Sequence, residues 1–158
     1  MEKTPRGIRN NNPLNIRHSS NRWKGMAEEQ TDPSFVQFCS MAYGYRAACK
    51  LLQTYWRRFR MEGKPFTVRN IISRWAPPED GNDTEHYIRS VLLLGGLGGK
   101  EILFPPDNPL GYPRLERLLV AMTVMECGIG TNRVEKERIQ EGYRMAFPYA
   151  QEVEECNE

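Results

Sequence analysis

The stretch Leu115-Glu116-Arg117-Leu118-Leu119-Val120-Ala121-Met122-Thr123-Val124-Met125-Glu126-Cys127-Gly128 decides how this chain is read. Leu115, Leu118, Leu119, Met122 and Met125 recur at helical spacing, which predicts a helix from about Arg114 to Cys127 with one buried face. Gly128 and Gly130 end it. Continuing the stripe from Met122 by one turn arrives at Glu126, so a carboxylate falls on the inward face. Apolar neighbours disfavour its charged form. The negative end of the helix dipole acts in the same direction, and the glycines beside it open space without adding a cation. An acid held neutral in this way can protonate a leaving oxygen, which is the chemistry a glycosidic bond needs. The same side chain could instead turn to solvent or pair with Arg133 or Arg46.

Working outward, the rest of the chain also reads as mainly helical. Ala48, Leu51, Leu52, Tyr55 and Phe59 form the inner stripe of a helix starting near Tyr43, with Lys50, Arg57, Arg58 and Arg60 on its outer face. Thr67 is a good N-cap for a second helix, whose stripe is Val68, Ile71, Ile72 and Trp75 and which Pro77-Pro78 stops. Asn82 or Asp83 caps a third, with Tyr87, Ile88, Val91 and Leu94 inside and Gly95-Gly96 at its end. The Gly- and Pro-rich stretch from Gly98 to Pro113 reads as a surface loop, because too little chain follows it to build a second core. A more polar helix is expected from about Asn132 to Phe147, and the acidic end from Glu152 to Glu158 should fray. Before the first helix the chain is loop-like around Asn10-Asn11-Asn12-Pro13. Trp23-Lys24-Gly25 and Phe35-Val36-Gln37-Phe38 suggest short strands, hence a small β-lobe. The fold class is thus mainly α with a minor β part, in one domain over residues 1–158.

Composition narrows the function classes. The chain has 158 residues, 39% hydrophobic and 27% charged, which suits one globular domain. A net charge of +2 is too small to imply a nucleic-acid partner. No stretch reaches the roughly 20 apolar residues of a membrane span. The N-terminus has no apolar segment of the secretory kind, so the expectation is synthesis in the cytoplasm without a signal peptide. Cys39, Cys49, Cys127 and Cys156 show no zinc spacing and read as reduced structural thiols. No metal, nucleotide or other cofactor is called for.

Longer motifs carry a resemblance. RGIRNNNPLNIR (Arg6 to Arg17), WKG (Trp23 to Gly25), QTDPSFVQF (Gln30 to Phe38), YGYRA (Tyr43 to Ala47), IISRWAPPED (Ile71 to Asp80) and NDTEHYIRSV (Asn82 to Val91) stand in an order and spacing that resembles a family of phage and prophage virion proteins and phage lysins. LLVAMTVMECG (Leu118 to Gly128) resembles that family's closing helix. The family in turn resembles lysozyme-like domains and lytic transglycosylases, in which an apolar helix ends in the catalytic Glu, a segment like NPLNI follows, and a later helix carries an acid-Thr-x-x-Tyr pattern. Here the Glu helix comes last, which implies a circular permutation.

The resemblance implies peptidoglycan glycan strands as substrate, acted on in the periplasm or cell wall after lysis or delivery, with virion proteins as further partners. It implies Glu126 as catalytic acid and base, and Tyr87 as an active-site hydroxyl. Asn12 and Asn15 would form the loop bordering the cleft, and Trp75 and Trp23 would offer faces to sugar rings. Tyr87 and Trp75 also lie on inner stripes, where core packing explains them. The family motif His-Glu-Asn-Gly is here Met125-Glu126-Cys127-Gly128, so its polar flanks are missing. Asp32, Glu79 and Asp83 are candidates for a second carboxylate, and each has a plain turn or cap role. A transglycosylase needs none, because the sugar's own hydroxyl closes onto the anomeric carbon. Two rivals stand beside the enzyme: a non-catalytic virion structural protein with the same fold, and a nucleic-acid binder using Trp56-Arg57-Arg58-Phe59-Arg60, a pattern that an ordinary solvated face also explains.

Overall fold

Side-chain caps set where the helices begin. The computed structural model describes residues 3–150; the acidic end expected to fray, Cys156 included, lies outside them. Helix α1 is one turn, Arg6–Arg9, inside the segment expected to be loop. The Ser40 hydroxyl accepts from the Tyr43 amide and starts α2 at Met41, two residues before Tyr43; α2 runs to Glu62. Thr67 caps α3, Val68–Trp75, and Asp83 caps α4, Thr84–Gly95. Helix α5 spans Tyr112–Cys127. It starts earlier than Arg114 because Pro113 sits in its first turn, where no amide donor is needed. Helix α6 is Lys136–Ala146, preceded by a 3-10 turn at Thr131–Arg133 rather than by continuous helix from Asn132. No helix among the described residues is long and apolar enough to cross a membrane.

Helix α5 is the centre of the core. Leu118, Leu119, Ala121 and Met122 on it are fully buried. Helix α4 packs on it, α3 packs on α4, and α2 packs along α6. A buried hydroxyl pair, Tyr45 to Thr123 at 2.9 Å, ties α2 to α5. Thr123 spends its proton on the Leu119 carbonyl at 2.7 Å, so Tyr45 donates to Thr123. The loop after α4 is a surface loop pinned at Leu103, which is buried and bonds backbone to backbone with Phe66.

The expected β-lobe does not form named strands among the described residues. The segment between α1 and α2 holds two isolated antiparallel bridges, Arg17 with Phe35 and Met26 with Phe38. Side chains replace the missing ladder. Asp32 accepts both forks of Arg6 at 2.6 Å, the Asn10 amide, and the backbone amides of Ser34 and Phe35. The Gln30 side chain donates to the Gln37 carbonyl and accepts from the Gln37 backbone amide. Turn-favouring side chains compete with strand pairing in this way, and sequence alternation does not reveal it.

Helices α2 and α6 cross at Gly142. A Cβ there would sit 2.7 Å from the Ala42 carbonyl oxygen and 2.8 Å from the Arg46 amide nitrogen, both backbone atoms that cannot step aside. Gly142→Ala is expected to cost about 2 kcal/mol, as overpacking does, and to lower the thermal midpoint by about 4–8 °C; a scanning calorimetry midpoint within 1 °C of wild type on this scale would contradict the packing described.

Candidate active site

Helix α5 ends by carrying Glu126 out of the core into a cleft. Met122, one turn earlier, is fully buried, and Glu126 is half-buried. Gly128 closes the helix in the left-handed conformation at φ 66°. Among the described residues Glu126 is in no salt bridge, so the pairing with Arg133 or Arg46 is not made. Two neutral donors hold the carboxylate instead. The Tyr87 hydroxyl donates to Oε2 at 3.1 Å. The Asn15 amide donates to the backbone carbonyl at 3.2 Å and to Oε1 at 3.4 Å. Burial pushes the Glu126 carboxyl above the ordinary range; the Tyr87 and Asn15 hydrogen bonds and the charge of Arg17 oppose this without cancelling it. Burial and the adjacent acid keep Tyr87 protonated, so its hydroxyl always has a proton to donate.

The loop that delivers Asn15 is built by its neighbours. Asn15 stands in the left-handed region at φ 53°, a conformation Asn tolerates better than most residues. Asn12 is fully buried, and its side chain bonds the Ile16 amide, the Ile16 carbonyl and the Val36 carbonyl at 2.8–2.9 Å. The Cys127 thiol donates to the Pro13 carbonyl at 3.3 Å, stitching the loop to the last turn of α5. Burial moves that thiol up to about 11 and the Cys49 thiol up to about 12, so neither is a thiolate near neutrality. A Cβ on Gly7 would meet the Asn12 carbonyl oxygen at 2.8 Å and Cys127 Sγ at 2.9 Å. Glycine is what lets α1 close under the loop.

The cleft beside Glu126 has a volume of about 380 Å³. Asn15, Arg17, Trp23 and Phe35 line it from the N-terminal lobe; Tyr55, Trp75, Asp80 and Asn82 line it from the helical side. Trp75 is half-buried and meets Tyr55 edge-on at 6.1 Å. A larger cavity of about 710 Å³ lies past the end of α5, with Arg133 and the Tyr45–Thr123 pair in its wall, and Glu126 does not line it.

The expected residues fall into two groups in the fold. Glu126, Asn15 and Tyr87 come together, and Trp75 and Trp23 share the cleft with the acid. Tyr87 is buried behind the carboxylate and does not line the cleft, so it positions the acid. Asn12 does not line the cleft: it is fully buried, and both polar atoms of its side chain are bonded, to Ile16 and Val36. Asp83 is spent capping α4 and Asp32 on Arg6, which holds the Asp32 carboxyl far below the usual range. Neither they nor Glu79 line the cleft. Asp80 does, and it was missed, as were Arg17, Phe35, Tyr55 and Asn82. Asp80 ends a 3-10 turn that Gly81 closes at φ 81°, so the Pro-Pro-x-Asp-Gly spacing was the available sign. Chemically, the arrangement offers a carboxyl group with its pKa raised by burial, facing an aromatic-walled groove, with a second, exposed carboxylate in the same groove.

No family model matches this sequence. Protein P5 of Pseudoalteromonas phage PM2 is 35% identical over 150 residues, covering 93% of this chain and 85% of that protein. This chain belongs to that family of phage proteins.

A carboxyl whose folded pKa is raised costs stability once it ionises. The cost is absent below the unfolded carboxyl pKa, about 4.3, and grows as pH rises toward the folded value. Glu126→Gln is therefore expected to raise the thermal midpoint more at pH 7 than at pH 4. An equal effect at both pH values would mean the acid is not penalised by its surroundings.

Proposed function

We propose that this phage protein cleaves the glycan strands of peptidoglycan, with Glu126 as general acid and then general base. One observation carries this: an acid raised by burial, held by two neutral donors and no cation, opens onto a groove walled by Trp75, Trp23 and Tyr55. Aromatic faces suit the apolar faces of sugar rings. The supporting frame is lysozyme-like: an apolar helix ends in Glu, and an Asn-Pro-Leu-Asn-Ile loop and a Tyr-bearing helix meet it. In this chain the Glu helix follows them, consistent with a circularly permuted order.

In the first step the protonated Glu126 gives its proton to the bridging glycosidic oxygen. The bond from that oxygen to the anomeric carbon breaks, and positive charge develops on the sugar left behind. Asn15 and Tyr87 hold the carboxylate that results. In the second step Glu126 takes a proton from the attacking hydroxyl. In a transglycosylase that hydroxyl is the sugar's own and closes an anhydro ring. In a hydrolase it is water. Asp80 is placed in the groove where it could orient water, so the hydrolytic route has a candidate that the sequence reading lacked. Work on the cell wall implies action in the periplasm or wall after lysis or delivery, and a phage protein of this kind is suited to travel with virion proteins.

A second reading, a virion protein that keeps the fold without cutting, draws support from Met125 and Cys127. They stand where relatives of the resemblance carry polar flanks, and Cys127 serves packing.

Mass spectrometry of muropeptides released from purified peptidoglycan separates these readings. Wild type is expected to release them, and Glu126→Gln to release about 10²–10⁴-fold less, the usual weight of a general acid. Anhydro ends would indicate transglycosylation; reducing ends, lost in Asp80→Asn, would indicate hydrolysis. Intact glycan with wild-type protein would favour the non-catalytic virion role.

A further inference from the structure

The rim of the cleft carries charge that the acid does not use. Phe35 and Tyr55 line the cleft from its two sides, one in the N-terminal lobe and one on α2. Each ring has a guanidinium over it: Arg17, itself in the cleft wall, at 4.9 Å from the Phe35 centroid, and Arg74, which lines a separate hollow with Phe59 and Pro77, at 5.1 Å from the Tyr55 centroid. Among the described residues neither arginine is in a salt bridge. Arg6 supplies the contrast. It sits over the same Phe35 ring at 4.6 Å, but its fork is closed on Asp32.

Contact with a ring face steadies a guanidinium and leaves its N–H donors free. The donors form a planar fork that matches a carboxylate in bidentate fashion. Among the described residues neither fork is closed on a carboxylate at salt-bridge distance, and a neutral sugar polymer offers them none. The bland account, a solvated basic face, suits Arg57 and Arg60 on the outside of α2 better than it suits arginines placed over cleft-lining rings. We propose that Arg17 and Arg74 bind carboxylates carried by the glycan, on its lactyl ethers or stem peptides, so that the cleft selects an anionic glycan over a neutral one. This rests on the glycan reading of the site.

The test measures co-sedimentation with peptidoglycan sacculi and with insoluble chitin, which has the same linkage chemistry without carboxylates. Full-length Glu126→Gln protein serves as parent, so cleavage and titration of the acid do not enter. Arg17→Gln and Arg74→Gln are each added to it, with circular dichroism confirming the fold. Each is expected to weaken sacculus binding about tenfold, the scale of one charge-assisted hydrogen bond, and to leave chitin binding unchanged. Unchanged sacculus binding, or an equal loss on chitin, would overturn the assignment. So would an equal loss of single-stranded DNA binding in a gel shift, which would mark a general polyanion surface. Selective sacculus binding in a wild type that releases no muropeptides would sink the cleavage proposal and leave this one standing.

Discussion

The site depends on a carboxyl group that, among the described residues, no cation meets at salt-bridge distance. Glu126 rides the same stripe as Met122, so the packing that buries α5 also draws the acid inward. A lysine or arginine at salt-bridge distance would lower its pKa and oppose the upward push of burial. The protein uses a phenol and an amide instead. These orient the carboxylate: Tyr87 donates to Oε2 and Asn15 to Oε1, each leaving the oxygen a further lone pair that can carry a proton.

Much of the N-terminal lobe exists to hold that arrangement. Asn12 fixes the loop, Gly7 lets the chain pass under it, and Cys127 ties it to the helix end. The Arg6–Asp32 pair and the Gln30–Gln37 exchange stiffen the rest without a sheet. A half-buried acid costs stability, and proteins commonly tolerate such a cost where a site needs it. The dense side-chain bonding around the loop is where this lobe recovers order that strands would otherwise provide.

The helices were legible because their cues are local. Thr67 caps α3 as expected, Asp83 is the one of the two candidates that caps α4, Gly96 of the Gly95-Gly96 pair closes it, and the α5 stripe needed only periodicity. Glu126 was legible for the same reason: it is a polar residue at an apolar register position. The β-lobe misled because alternation over three or four residues cannot tell a strand from an extended loop held by side chains. Asn12 and Asn15 look alike in sequence, yet one is wholly buried and the other borders the cleft; only the turn geometry between them, with Asn15 at positive φ, separates their roles. Asp80 and Arg17 went unread because their part in the cleft comes from distant segments meeting. The membership in a phage protein family fits the motif resemblance at its coarse level and leaves the chemistry to be measured.

The protonation of Glu126 is open to direct observation. Carbon-13 NMR of protein labelled at glutamate side-chain carboxyls, with Glu126→Gln to assign the resonance, follows this one group through a pH titration. The expected midpoint lies above that of an ordinary glutamate and rises further in Tyr87→Phe, where a hydrogen bond to the carboxylate is removed. A Glu126 midpoint at or below the ordinary value, unmoved by loss of the Tyr87 hydroxyl, would contradict the account.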